Sequence, residues 1–488
     1  MQSRSDPSTA DPPLCVDLDG TLVSTDLLWE GLFLLLRTHP RAALSVPFWA
    51  CRGKAWLKSR VADHVSLDVE TLPYTPEVLT YLKRERGLGR TTVLVTASDG
   101  RWARAVADHL GLFDRVLATD RACNLKGETK AAAIRLEFGG EFDYVGDSFS
   151  DLPVWDRSRL AVVVTPGAGL MGRIRRSGKP FHVIEGTKGS WADLLRLTRP
   201  HQWPKNLLLF VPVVTAHRVS DVGVLLKVAL AFLAFCALAS AVYILNDLLD
   251  LNADRRHASK RRRPLAAGRV SVPKAVAVAT ALGMFSSLVG AALPPLFGGH
   301  LLLYALVTTA YSLRLKQKMV VDVLCLAGLY ALRISAGGAA AAIPISPWLQ
   351  GFSIYFFLSL AFLKRYTELL EKADRPSFET IAGRGYMPVD LPLIQAFGPA
   401  SGYLAVLVFS LYVSSPDVVK LYTHPDVLWL CCPVLLYWIT RVWFLGQRGQ
   451  LLDDPVLFAV KDPVSYLAAL ALAGTLALAS YSGPLPWR

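Results

Sequence analysis

Long apolar stretches dominate the chain after residue 205 and limit the folds open to it. Most of them approach the roughly 20 residues that an α-helix needs to cross about 30 Å of hydrocarbon. A bilayer offers no water to backbone N–H and C=O groups, so consecutive apolar stretches predict membrane helices. We therefore predict an all-α bundle of nine transmembrane helices, with limits near 205–217, 222–245, 272–294, 298–314, 320–342, 347–363, 389–414, 425–445 and 462–483.

Charged loops predict the orientation of this bundle. Lysine and arginine concentrate in alternate loops, as expected for the cytoplasmic side. These residues are Arg255, Arg256, Lys260, Arg261, Arg262, Arg263, Arg314, Lys316, Lys318, Lys364, Arg365, Lys372 and Arg375. The opposite loops carry little beyond Arg218 and Lys420, and the first residues lack an apolar signal-peptide core. We predict a multi-pass protein of the inner (cytoplasmic) membrane with a cytoplasmic N-terminal domain and its C-terminus on the opposite side.

The same loops account for the net charge of +13, which therefore does not indicate nucleic-acid binding. The seven cysteines show no CxxC spacing, so neither a zinc site nor a disulfide framework is indicated.

Four polar side chains close the second apolar stretch: Asn246, Asp247, Asp250 and Asp254. On one continuous helix they would lie within about 100° of each other and share a face. Carboxylates beside a bilayer are costly unless they hold positive charge, and their hard oxygens suit Mg²⁺ shared with substrate phosphates. A cationic loop at 257–268 follows. The acidic helix end and the cationic loop together predict a metal–diphosphate site. An ordinary positive-inside loop would explain the arginines but not the aspartates.

Residues 1–195 have the character of a soluble α/β protein. The apolar run 14–16 ends in Asp17 and Asp19, which point the same way because they are two residues apart on an extended chain. Further strands end in polar residues at 96–98 and 146–151. This pattern predicts a doubly wound parallel sheet with a site at its carboxyl edge. The predicted divisions are a disordered segment 1–11, an α/β domain 12–185 with a helical cap near 24–90, a linker with an amphipathic segment 186–204, and the membrane domain 205–485.

These pieces, in this order, resemble the haloacid dehalogenase superfamily of phosphotransferases. The resemblance implies that Asp17 is the nucleophile, Asp19 the general acid and base, and Thr96 a ligand of the transferred phosphoryl group. It implies Lys126 as the lysine of the motif, with Lys130 as the alternative. The implied Mg²⁺ ligands are Asp17, the carbonyl of Asp19, Asp147 and Asp151.

Two questions about this domain stay open in the sequence. A fused domain can be a non-catalytic scaffold, but the presence of both Asp17 and Asp19 favours activity. The cap sequence is unusually apolar, which indicates either an ordinary helical core or a surface that leans on the bilayer or grips a lipid substrate.

The segment 246–268 resembles the first aspartate-rich motif of the UbiA superfamily of intramembrane prenyltransferases. Typical members carry a second pair of aspartates, whereas the corresponding region here offers only Asp322 among several cations. The missing aspartate argues against a site that ionises prenyl diphosphates. The cations suit substrates with additional anionic groups instead. The variant resembles the decaprenyl-phosphate phosphoribosyltransferase branch.

This second resemblance implies transfer of 5-phosphoribose from phosphoribosyl pyrophosphate to a polyprenyl phosphate, followed by removal of the 5-phosphate by the soluble domain. Asp247, Asp250 and Asp254 would bind Mg²⁺, the first two as catalytic residues. The implied substrate-binding residues are Lys205, Asn246, Lys260, Arg261, Tyr311, Lys316, Asp322 and Arg333. The alternative is a prenyltransferase with a prenyl diphosphate donor, whose soluble domain is a separate phosphatase or a docking module.

Overall fold

The computed structural model describes residues 11–121, 123–186, 189–371, 385–451 and 454–481. Residues 1–10 of the predicted disordered segment, together with Lys372 and Arg375, lie outside the described residues. The chain forms two compact units, Met1–Thr198 with Tyr243–Ala279, and Arg199–Val242 with Thr280–Arg488. The acidic segment and its cationic loop therefore belong to the same unit as the N-terminal domain.

Six parallel strands form the centre of the first unit, in the order β3-β2-β1-β4-β5-β6. Their bounds are β1 Leu14–Val16, β2 Thr92–Asp99, β3 Arg115–Thr119, β4 Asp143–Gly146, β5 Ala161–Val164 and β6 Phe181–Ile184. On β1, Leu14 and Val16 pack into one apolar cluster with Trp102, and Cys15 packs into another with Ile134. Both faces of the sheet are thus covered, which confirms the predicted doubly wound α/β fold.

Helices surround this sheet and form the insert between β1 and β2. They are α1 Leu27–Thr38, α2 Pro40–Ala43, α3 Val46–Cys51, α4 Lys54–His64, α5 Pro76–Gly87, α6 Gly100–Leu110, α7 Glu128–Phe138, α8 Leu152–Trp155, α9 Ala168–Arg176 and α10 Trp191–Leu197. Helix α1 begins where the Asp26 carboxylate accepts hydrogen bonds from the N–H groups of Leu28 and Trp29. The first four helices make up the predicted helical cap, whose Leu44 and Phe48 are exposed.

The remaining helices are longer and largely apolar. They are α11 Val211–Thr215, α12 Val222–Leu249, α13 Leu251–Arg256, α14 Val272–Ala292, α15 Pro295–Leu313, α16 Val321–Ala341, α17 Pro347–Leu370, α18 Leu391–Val413, α19 Pro416–Leu421, α20 Cys431–Gln447, α21 Pro455–Ala459 and α22 Pro463–Ser480. Within the second unit, α16, α17, α18 and α20 share a buried apolar cluster that includes Phe357, Leu363 and Val442.

Seven helices of the described residues are long and apolar enough to cross a membrane. The predicted count of nine is not confirmed. The expected first span is a 3₁₀ helix, Pro200–Phe210, followed by the five-residue α11, because Pro204 and Pro212 interrupt a regular α-helix. Helix α17 has the length but is not among the seven, and its carboxyl end carries Lys364 and Arg365.

Asp143, the first residue of β4, lies at the centre of a network of ion pairs in the soluble domain. Its fully buried carboxylate pairs with Arg90 and accepts hydrogen bonds from Arg159 Nε at 3.0 Å and Nη2 at 2.7 Å. Arg90 is itself buried and also pairs with Glu85 at 3.0 Å. The amino-terminal end of β4 thus contains a network of ion pairs around the buried Asp143, in which Glu85 also pairs with the exposed Arg84.

Replacing Asp143 by alanine leaves the buried Arg90 guanidinium without one of its two carboxylate partners. We expect the free energy of unfolding of the soluble domain to fall by about 3 kcal/mol. Urea denaturation of the purified full chain, followed by tryptophan fluorescence, measures this. Asp108→Ala, which removes an exposed carboxylate on α6, should change stability by less than about 0.5 kcal/mol. Equal losses in both variants would contradict the network's role.

Candidate active sites

Three carboxylates meet at the carboxyl ends of β1 and β4. Asp17, Asp147 and Asp151 each place an oxygen within 4.8 Å of the other two. Gly20, at φ +81°, permits this approach, because a Cβ atom there would lie 2.6 Å from Asp147 Oδ2. Three acids this close repel each other unless a cation lies between them, so the group suits a divalent ion with oxygen ligands.

Lys130, and not Lys126, is the lysine at this site. Its buried Nζ lies 3.0 Å from Asp17 Oδ1 and 3.7 Å from Asp151 Oδ1. Lys126, the preferred prediction, is exposed in the loop before α7, and the structure instead brings its alternative, Lys130, to the carboxylates. Helix α7 begins at Glu128, so Lys130 lies in its first turn with its side chain buried beside Asp17, whereas Lys126 precedes the helix.

Asp19 occupies a different environment from Asp17. One oxygen accepts a hydrogen bond from the Leu27 N–H at 2.8 Å, and the other accepts from the Ser98 hydroxyl. Burial, reinforced by the neighbouring Asp26, raises the pKa of Asp19 to about 7. A carboxyl group with such a pKa can donate and take up a proton near neutral pH, as general acid–base work requires.

Thr96 and Lys58 complete the soluble site. Thr96 is fully buried within β2, three residues before its end, and its hydroxyl accepts a hydrogen bond from the Ser98 N–H at 2.9 Å. Lys58 comes from cap helix α4 and donates to the Ala97 carbonyl at 2.6 Å and to Asn124 Oδ1 at 3.3 Å. Sequence reasoning missed Lys58 because it lies in the cap, far along the chain from every motif.

The acidic segment of the same unit gathers around an arginine. Arg263 Nη1 donates to Asp247 Oδ1 at 3.0 Å and to Asp254 Oδ2 at 2.6 Å, and both carboxylates are buried. Two buried acids that converge on one cationic group form a place built for positive charge, which fits a metal–diphosphate as well as a guanidinium. The predicted phosphate ligands Lys260 and Arg261 are exposed, so Arg263 is the cation that reaches the aspartates.

The predicted single helical face is only partly correct. Helix α12 ends at Leu249, Asp250 adopts φ −98° and ψ 11°, and α13 begins one residue later. Asn246 lies half-buried in the last turn of α12. The Asp250 carboxylate pairs with Arg37 at 2.8 Å, so it is oriented toward a different cation from the one that Asp247 and Asp254 share.

In the second unit, several predicted substrate-binding residues surround Asp454. Lys205 and Lys364 both place Nζ within 2.9 Å of Asp454 Oδ2, and the Tyr330 hydroxyl donates to Oδ1 at 3.2 Å. Arg333 stacks near the Tyr330 ring, 5.4 Å from its centroid. Among the described residues, Lys205 and Lys364 thus pair with the single carboxylate of Asp454, and Arg333 lies against the ring of Tyr330, which also binds Asp454.

Tyr311 and Asp322 belong to a separate group. The Tyr311 hydroxyl donates to Asp322 Oδ1 at 2.7 Å, and Arg365 Nε lies 2.6 Å from Asp322 Oδ2. Asp322 and Arg365 are fully buried, so this carboxylate is committed to an ion pair. Lys316 lies half-buried in the short 3₁₀ helix before α16.

The chain has a parallel α/β domain with a carboxylate cluster, which is hydrolase-like. This domain is joined to a bundle of apolar helices, so the chain is a multi-pass membrane protein. Residues 208–461 match the sequence model of the UbiA prenyltransferase family, and residues 14–156 match that of haloacid dehalogenase-like hydrolases. The chain belongs to the UbiA prenyltransferase family and carries an N-terminal haloacid dehalogenase-like domain.

Relatives share one or both domains. The uncharacterized protein y4nM of Sinorhizobium fredii is 37% identical over 96% of this chain and 91% of its own. Decaprenyl-phosphate phosphoribosyltransferase of Mycobacterium tuberculosis H37Rv is 33% identical over 59% of this chain and 94% of its own. Among solved structures, a UbiA homolog from Archaeoglobus fulgidus bound to GPP and Mg²⁺ is 19% identical, with a TM-score of 0.45, over 59% of this chain and 100% of that one.

We expect Lys130→Gln to lower kcat for hydrolysis of p-nitrophenyl phosphate by about 100- to 1,000-fold, because a buried cation beside Asp17, the predicted nucleophile, would stabilise charge in the transition state. Lys126→Gln is the matched control and should change kcat by less than about threefold, since its side chain is exposed. Steady-state assays of the full chain measure both. A larger loss in the Lys126 variant would restore the original assignment.

Proposed function

We propose that this chain is a bifunctional, Mg²⁺-dependent membrane enzyme. Its membrane domain transfers 5-phosphoribose from phosphoribosyl pyrophosphate to a polyprenyl phosphate, and its soluble domain removes the 5-phosphate to leave polyprenyl-phosphoryl-ribose. The observation that carries the proposal is the pair of lysine side chains, Lys205 and Lys364, that meet at Asp454 Oδ2, because these cations suit a substrate with a phosphate group in addition to the diphosphate. A relative named decaprenyl-phosphate phosphoribosyltransferase supports the same substrate class.

In the transfer step, a phosphate oxygen of the lipid attacks the anomeric carbon of the sugar, and the bond to the diphosphate breaks with its electrons. Bound Mg²⁺ would neutralise the leaving diphosphate. Asp247 and Asp254 would supply oxygen ligands, and Arg263, already between them, would pair with the diphosphate. The lipid phosphate is anionic near neutral pH, so no strong general base is required.

The cluster around Asp454 supports binding of further phosphate. Of the described residues, Lys205 and Lys364 place two positive charges against the one carboxylate of Asp454. An anionic ligand would balance this excess in a poorly hydrated setting, where the attraction is strong. The 5-phosphate of the donor and the phosphate of the lipid are the two candidates in the proposed reaction.

An apolar cavity of about 690 Å³ in the same unit offers space for the polyprenyl chain. Its walls include Leu349, Phe352 and Leu435. Leu349 and Lys364 lie on α17, 15 residues apart, which at 1.5 Å per residue is about 22 Å. A lipid with its phosphate beside Lys364 would therefore extend along this helix toward the cavity.

The soluble domain would use Asp17 to attack the 5-phosphate and Asp19 to protonate the leaving ribose oxygen, after which water hydrolyses the aspartyl-phosphate. Cap residues provide cations for the rest of the substrate. A cavity of about 740 Å³ is lined by Arg52, Lys54 and Arg121 together with Asn124, the partner of Lys58. No acid lines this cavity among the described residues, which suits the phosphodiester that joins ribose to the lipid. The exposed apolar cap surface suits its prenyl chain.

The cationic loops support placing the soluble domain and the transferase site on the cytoplasmic side, where phosphoribosyl pyrophosphate is made available. The product of the first step would then need no passage across the membrane before the second.

Membranes containing the protein, incubated with ribose-labelled phosphoribosyl pyrophosphate, polyprenyl phosphate and Mg²⁺, should transfer label into an organic-extractable lipid. Asp247→Asn should lower this transfer at least about 100-fold, because it removes a carboxylate that would hold Mg²⁺ beside the leaving diphosphate. If label enters lipid only from a prenyl diphosphate donor, the alternative prenyltransferase function is correct.

Asp17→Asn should preserve formation of the labelled lipid and stop release of its phosphate, because an amide cannot form the aspartyl-phosphate. Thin-layer chromatography of the lipid should then show an accumulating species that alkaline phosphatase converts to the wild-type product. Asp108→Asn is the charge-matched control and should behave as wild type. Undiminished phosphate release by the Asp17 variant would refute a role for this domain as the phosphatase.

A further inference from the structure

The cap of the phosphatase-like domain contacts the acidic segment through a buried ion pair. Arg255 Nη1 donates to Glu30 Oε2 at 2.9 Å, and Nη2 donates to Oε1 at 2.6 Å. Both side chains are at most 3% exposed. Breaking a buried bidentate ion pair of this kind costs free energy, because either partner alone would be an uncompensated charge. Cap helix α1 is therefore anchored to α13.

Two turns further along α1, Arg37 lies at the end of α12. Its Nη1 donates to the Leu249 carbonyl at 3.0 Å and lies 2.8 Å from Asp250 Oδ1. The Leu249 carbonyl belongs to the last turn of α12, where carbonyls lack helical partners and attract cations. One guanidinium thus caps the helix and also holds a carboxylate that belongs to the predicted metal site.

The two contacts differ in how easily they open. Glu30 and Arg255 are buried, whereas the side chains of Arg37 and Asp250 are 43% and 33% exposed. An exposed pair of this kind contributes little free energy and opens readily. The anchor can therefore persist while the Arg37–Asp250 contact forms and breaks.

This arrangement requires the fused domain. The transferase of M. tuberculosis aligns over 299 residues that make up 94% of its length, so it is too short to carry both domains found in this 488-residue chain. The partners of Arg255 and Asp250 described above come from the cap, at Glu30 and Arg37. The fusion thus brings a charged residue of one enzyme to a predicted metal ligand of the other.

We propose that Arg37 is a positioning residue that competes with the divalent cation for Asp250, so that cap contact and metal loading of the acidic segment oppose each other. Coupling of this kind is reciprocal: a metal bound through Asp250 weakens the Arg37 contact by the same factor by which the contact weakens metal binding. The inference rests on the proposed function, which identifies the acidic segment as a metal site. Its test measures metal binding and does not depend on enzymatic activity.

The test measures Mn²⁺ binding to the full chain by electron paramagnetic resonance. An Asp147→Asn background weakens the site of the soluble domain, so that the remaining binding reports on the acidic segment. Arg37→Gln should tighten Mn²⁺ binding about two- to fivefold, the range expected for loss of an exposed pair. Arg41→Gln, which removes an exposed cation from the same cap, corrects for the change in net charge and should have a smaller effect.

Arg37→Lys tests whether the positive charge or the guanidinium geometry of Arg37 is responsible. It also controls for misfolding of the Arg37→Gln variant. It keeps the positive charge but cannot reproduce the planar guanidinium, so we expect it to tighten binding by an intermediate amount. Hydrogen exchange of Leu27–Thr38 gives the reciprocal measurement: Mn²⁺ should increase exchange in α1 of the parent and leave it unchanged in Arg37→Gln. Equal Mn²⁺ affinity in the parent, Arg37→Gln and Arg41→Gln would overturn the proposal, even if phosphoribosyl transfer is confirmed.

Discussion

Pairing of buried carboxylates with buried cations is the constraint on which both candidate sites depend. A buried carboxylate without compensation would be protonated or would destabilise the fold, so buried acidic groups need positive charge nearby, which two of them can share. The described pairs are Asp17 with Lys130, Asp247 and Asp254 with Arg263, Asp322 with Arg365, Asp454 with Lys205 and Lys364, and Glu30 with Arg255. These pairings decide which acids are available to a metal and which are structural.

The pairings also separate acids that look equivalent in the sequence. Asp247 and Asp254 converge on one guanidinium and suit a metal–diphosphate, whereas Asp322 is committed to Arg365 and Tyr311. The proposed function assigns phosphoribosyl pyrophosphate as the donor, which carries a 5-phosphate in addition to its diphosphate, whereas a simple prenyl diphosphate carries no further phosphate.

Much of the fold and part of the site follow from local pattern. Apolar strands that end in polar residues predicted the parallel sheet, and the aspartates after β1 and β4 were expected to meet because parallel strands end at one edge. The lysine that the structure brings to the carboxylates is not the preferred one, since two lysines four residues apart are alike in sequence and only the start of α7 distinguishes them. Nothing in the sequence indicated the individual contacts of Lys58 and Arg263 beyond the positive charge of their side chains.

The sequence by itself determined the two domain classes, the apolar helices and the acids of both sites, because hydropathy and short spacings act locally. Only the tertiary structure decided which cation pairs with which acid, since those partners are brought together from distant parts of the chain. Arg37 and Asp250 are separated by more than 200 residues, yet their side chains lie 2.8 Å apart. The helix break at Asp250 and the placement of the acidic segment against the cap depend on such contacts, which no local pattern encodes.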